Sequence, residues 1–131
     1  MRYWFLLPIA LAACGPKTVY TDTDVPKLPK LEDVMWAQAQ AMDPQFKKIG
    51  AASYGDDDYA QFVAAAGRLK LTTARIKESF SKGAEFNQLA DALAGDAEQL
   101  AQAAQAKDAA KSSQALAATK ATCKTCHAKF R

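Results

Sequence analysis

The sequence predicts an all-α fold, an antiparallel four-helix bundle, on three observations. Alanine is abundant, and the 131 residues hold only 6 glycines and 5 prolines, with no proline after Pro44. No segment shows the Val-, Ile- and Thr-rich alternation of a strand. Instead, apolar side chains recur at three- and four-residue spacings along four stretches joined by short connections, the pattern of amphipathic helices packed as a bundle.

The chain opens outside that pattern. Met1-Arg2 supplies a short positive start, Tyr3 to Ala13 is almost unbroken apolar sequence, and the small residues Ala12 and Ala13 lead into Cys14. This reads as a secretory signal peptide over residues 1–13, too short to be a spanning helix and expected to be cleaved. Leu11-Ala12-Ala13-Cys14 also resembles the bacterial lipobox, in which the cysteine becomes the lipid-modified first residue of the mature protein. The other reading is an ordinary signal peptide with Cys14 near its cleavage site. Acyl chains on Cys14 would hold the protein at a membrane without a spanning segment. By resemblance to lipoproteins of enteric-type bacteria, Gly15 in place of Asp implies the outer membrane. Residues 14–30, polar and containing Pro16, Pro26 and Pro29, are expected to form an extended tether. The alternative is a short arm packed on the bundle, anchored by Val25, Leu28 and Leu31.

The helical elements follow from residue 31, where a domain of residues 31–131 is expected to begin. The first helix starts near Leu31 with Glu32 and Asp33 in its first turn, where acidic side chains favour the positive helix end. Its inward stripe reads Leu31, Val34, Met35, Gln38, Ala41, Met42, Phe46 and Ile49. Asp43-Pro44 looks like an N-cap followed by a first-turn proline, so a kink or restart is expected there. Gly50 to Gly55 is a connection. Asp56, Asp57 and Asp58 then cap a second helix carrying Tyr59, Phe62, Val63, Ala66, Leu69, Thr73, Ile76 and Phe80, closed by Ser81-Lys82-Gly83. A third runs from about Ala84 to Ala106 with Phe86, Leu89, Leu93, Ala97, Leu100 and Ala104 on one face. A fourth runs from about Asp108 to Phe130 through Ala109, Leu116, Thr119, Cys123 and Cys126. Alanine-rich seams let helices approach closely but bury little apolar area per residue. Such a thin core calls for a large apolar cofactor.

The fourth helix carries the chemistry. Cys123-Lys124-Thr125-Cys126-His127 is a C-x-x-C-H sequence, the attachment signature of c-type haem: two thiols add across the vinyl groups and the adjacent imidazole coordinates the iron. His127 is the only histidine. A thioredoxin-like dithiol would need a βαβ surround, and a zinc site would need four ligands; neither is present. On a helix, Cys123, Cys126 and His127 stand at i, i+3 and i+4 and project from one face, with Phe130 continuing the stripe. Only four residues follow His127, so any second axial ligand is expected from upstream. With one cysteine for lipid and two for haem, none remains for a disulfide. Export and haem attachment agree, because c-type haem is attached outside the cytoplasm in bacteria.

Charge excludes one class of partner. The chain has 17 basic and 14 acidic residues; loss of Arg2 leaves a small excess of positive charge, which two haem propionates would offset. With no basic run, nucleic-acid binding is not expected.

The ending Cys123-Lys124-Thr125-Cys126-His127-Ala128-Lys129-Phe130-Arg131 resembles that of the class II c-type cytochromes, four-helix bundles with C-x-x-C-H near the C-terminus. The resemblance covers roughly residues 31–131, specifically at the motif and only as a pattern elsewhere. It implies one covalent haem c with its iron, His127 as proximal ligand, and Arg131 facing a haem propionate. It also implies that the residue on the distal side of the iron comes from the first helix. That residue is methionine in six-coordinate, electron-transferring members and apolar in the five-coordinate cytochrome c′ branch. Leu31-Glu32-Asp33-Val34-Met35 looks like the six-coordinate pattern, with Met35 at the ligand position and Met42, seven residues on, as its competitor. Core filling is the other use of either methionine. Many members carry an arginine where this chain has Leu31, so a second propionate contact is not implied. Members of the family also dimerise through their first two helices, which makes a homodimer the expectation by resemblance. The expected protein is a lipid-anchored, monohaem electron carrier of the periplasm with protein redox partners, and not an enzyme. The alternative is a five-coordinate haem protein that binds nitric oxide or carbon monoxide.

Overall fold

Local capping chemistry sets where the helices begin. The structure, a computed structural model, describes residues 18–131; the expected signal peptide and Cys14 lie outside the described residues. Helix α1 (Leu31–Phe46) follows extended Lys30 and carries Glu32 and Asp33 in its first turn. Helix α2 (Asp56–Ser79) starts at Gly55, whose N–H donates to Asp58 Oδ2 at 3.0 Å, with three aspartates at the positive helix end. Helix α3 (Ala84–Gln105) follows Gly83, where φ is +110°, a conformation open to glycine. Helix α4 (Ala109–Phe130) is capped by Asp108, whose Oδ1 accepts from the Lys111 N–H at 2.9 Å.

Helix α1 runs on through Pro44 and does not restart there. The proline sits in the last turn, so the backbone bond it forfeits is among the last the helix would make, and the chain leaves the helix two residues later. The true inward stripe of α1 is Val34, Ala37, Gln38, Met42 and Gln45, while Leu31, Met35, Ala41, Phe46 and Ile49 are half-buried.

The helices pack in sequence, α1 on α2, α2 on α3 and α3 on α4, whereas α4 meets α1 only lightly. Short connections force each neighbour to run antiparallel. Two apolar clusters result. The larger gathers Met42, Tyr59, Phe62, Leu69, Leu93, Leu100 and Leu116 with five alanines. The smaller, at the end where α1 and α3 begin and α2 and α4 finish, gathers Val25, Leu28, Val34, Ala37, Ile76, Phe86 and Ala90, with Met35, Phe80 and Phe130 packed against it.

Residues 18–30 differ from the extended tether expected of them: they are folded back on the groove between α1 and α2. Val25, in a single 3-10 turn (Val25–Lys27), is fully buried, and Leu28 is 6% exposed. Trp36 Nε1 and Gln40 Nε2 both donate to the Thr18 carbonyl, at 2.9 and 2.6 Å. Tyr20 OH donates to Asp33 at 3.0 Å, Arg68 binds both Asp22 and the Tyr20 carbonyl, and Arg75 donates to the Leu28 carbonyl. The alternative reading, a short arm anchored by Val25 and Leu28, is the one adopted, and each of these polar contacts to the helices reaches a residue thirteen or more positions away. Val25→Ala should therefore cost about 2 kcal/mol of stability and expose residues 18–30 to protease. Denaturant unfolding and limited proteolysis check this; an unchanged midpoint would mean that the arm contributes nothing to the fold.

Candidate functional site

The last three turns of α4 lack what the rest of the bundle has. Its buried side chains are Ser112, Ala115, Leu116 and Thr119, and none from Lys120 to Arg131 is buried. Along that length the inward positions Cys123, Cys126 and Phe130 are only half-covered, and His127 is exposed. The helix is nonetheless held in place. Thr122 Oγ1 donates to Asp96 Oδ2 at 2.7 Å, Lys129 pairs with Glu85, and Lys82 donates to the Phe130 carbonyl at 3.1 Å. Phe130 meets Phe86 edge-to-face at 5.3 Å between centroids.

Both cysteines are free thiols. Burial, with smaller contributions from Cys126, Asp96 and Asp43, pushes the Cys123 thiol up to about 11. Burial also raises Cys126, with Lys82 pulling the other way. At neutral pH both are therefore protonated thiols, poorly suited to nucleophilic or disulfide chemistry. His127 makes no hydrogen bond or ion pair among the described residues, and no group of three or more His, Cys, Asp or Glu side chains there converges on a point that would hold a bare metal ion. An iron bound here must bring most of its ligands with it. A porphyrin does so, and its apolar plate suits the uncovered face of α4.

Gln38 is 8% exposed and its Nε2 has no partner; a buried donor left unpaired costs about 1–3 kcal/mol. The sequence placed Gln38 on the inward stripe but gave no sign that its amide goes unsatisfied. The signal was available as an amide in an apolar row.

The two methionines are separated. Met42 is 2% exposed inside the larger cluster, against which Cys123 also packs. Met35 is half-buried in the smaller cluster, alongside Phe130 and Leu31. Arg131 is exposed just past the end of α4 and pairs with no acidic side chain among the described residues.

Residues 70–131 match the family model described as Cytochrome C′. The matched stretch runs from the middle of α2 through α4 and contains the whole C-x-x-C-H sequence, in a chain whose described residues form four packed helices. That match and the four packed helices support a class II, cytochrome c′-like protein. No curated protein and no solved structure compared with it gave a match. This cytochrome is accordingly a c-type haem protein, with Cys123, Cys126 and His127 as the residues able to hold the group. The match ends short of α1, so it is silent on Met35, Met42 and the sixth coordination position. No helix among the described residues of the cytochrome is long and apolar enough to cross a membrane.

Proposed function

We propose that the cytochrome carries single electrons through one haem c bound to Cys123 and Cys126, with His127 and Met35 as axial ligands. The observation that carries this reading is the half-open thioether of Met35, packed in the same cluster as Phe130 at the uncovered end of α4. Met42, by contrast, would have to leave a closed core to reach an iron held by His127. The bound haem supplies a one-electron iron couple, whose potential a thioether ligand raises. The protein contributes the imidazole, the thioether and an apolar wall made by Phe86 and Phe130, and it transforms no substrate. Arg131, free at the end of α4, is suited to a propionate by its planar guanidinium. Optical and EPR spectra of the oxidised and reduced protein test this reading. A low-spin ferric signal supports it, and a high-spin signal with ready nitric oxide binding replaces it with the five-coordinate, gas-binding function.

We place the cytochrome in the periplasm, held at the outer membrane through lipid on Cys14, where it meets protein redox partners. Cys14→Ser should release it into the soluble periplasmic fraction or leave it unprocessed. A wild-type mature protein that is already soluble, with no acyl mass at its N-terminus, would sink the anchor. A homodimer through α1 and α2 would have to form around the arm of residues 18–30, which covers part of that face.

A further inference from the structure

Gln38 bears on the haem end from two directions. Along α1 it follows Met35 by three residues and precedes Met42 by four, so the three share one stripe. Across the seam, Lys120 Nζ sits 6.0 Å over the Phe46 ring and Asp43 is close enough to Cys123 to raise its thiol. Helices α1 and α4 are antiparallel with equal rise, so counting back from the Lys120–Phe46 contact, with which the influence of Asp43 on Cys123 agrees, brings Ala39 level with His127, Gln38 next to it and Met35 about one turn beyond. A nine-tenths-buried amide, with its Nε2 unpartnered, therefore stands opposite the histidine of the motif. The other buried orphan, Ser112 Oγ, is about four turns from His127, at the start of α4, and has no such placement.

We infer that Gln38 is a positioning residue on the distal side of the iron, its Nε2 donating a hydrogen bond to the atom that occupies the sixth position. In the six-coordinate protein that acceptor is the thioether sulfur; in an open site it is a bound diatomic molecule. The inference rests on the haem reading above, but not on the choice between those two states. A donor whose positive end faces the axial atom draws electron density from it and disfavours the extra charge of the ferric state, one of the levers by which a protein tunes haem. Gln38 thus raises the reduction potential. A merely structural glutamine has the opposite consequence: exchanging it for an apolar side chain makes the site less polar, which favours the less charged ferrous form.

The test uses haem-loaded protein and two variants. Gln38→Leu removes the donor and keeps the bulk; Gln38→Asn keeps an amide but withdraws it by one methylene. If the wild type is low-spin, both variants should stay low-spin and shift the reduction potential downward, read by spectroelectrochemical titration. An unchanged or raised potential in Gln38→Leu, or a wild-type potential in Gln38→Asn, overturns the inference. If the wild type proves high-spin, the methionine assignment fails on its own. The decisive reading then is the dissociation rate of carbon monoxide from the ferrous protein. That rate should rise several-fold in both variants, and equal rates would overturn the inference.

Discussion

Replacing Cys123 and Cys126 together with serine should abolish covalent haem and most of the cooperative fold. The first outcome follows from the loss of both thiols; the second follows from packing. From Lys120 to Arg131 no side chain of α4 is buried, and α4 touches α1 only lightly. Without the porphyrin plate, that seam has little apolar area with which to offset the ordering of about twelve residues, each costing roughly 1–2 kcal/mol of backbone entropy. Haem staining after denaturing electrophoresis, from cells that mature c-type cytochromes, reads the first outcome. Far-UV circular dichroism and a denaturant melt read the second. The wild type should give a stained band and a cooperative transition, and the double variant neither. A colourless wild-type protein from such cells would remove haem from the account altogether. A stained wild type beside a haem-free variant that melts cooperatively at the same midpoint would show instead that the bundle is self-sufficient.

Met35→Ala carries the second large effect. With the thioether gone, the ferric iron should pass from low-spin to five-coordinate or water-ligated, its potential should fall, and carbon monoxide should bind the ferrous form without a ligand to displace. Met42→Ala should instead remove a side chain that is 2% exposed in the larger cluster, costing about 2–5 kcal/mol of stability with the spectrum unchanged. The two variants separate ligation from packing because each assigns its residue a different observable. The reverse pair of results would transfer the ligand role to Met42 and leave electron transfer in place. A high-spin wild type would return both methionines to the core.

How much of this was legible beforehand depends on how local the determinant is. The starts of α2, α3 and α4 were readable to within a residue, because Asp56 to Asp58, Gly83 and Asp108 act within one turn of where they stand. Cys123, Cys126 and His127 were readable for the same reason: a motif whose spacing is one helical turn shares a face on any helix. Pro44 misled because its effect depends on its distance from the helix end, which only the fold sets. The packed arm, with Val25 and Leu28 as anchors, was legible only as the alternative to a tether, because Arg68, Arg75 and Trp36 hold it from far along the chain. Gln38 was seen as inward-facing, yet whether an inward amide finds a partner is a question about its neighbours. The stripes themselves erred by half-turns: Gln45 is buried and Ile49 is not.

In the proposed lipid-anchored protein, the arm would also fix how far the haem domain travels. It is docked from Thr18 onward, and in the sequence only residues 15–17 separate Thr18 from Cys14. With Cys14 acylated, four residue steps of at most about 3.6 Å each leave a leash of roughly 14 Å. A protein on so short a leash samples a thin layer of solvent rather than the whole compartment. A partner fixed in the same membrane then meets it at high effective concentration, and one dissolved in the bulk gains nothing. Freeing the arm would lengthen the leash to sixteen residue steps and dilute that encounter without touching a single residue at the haem.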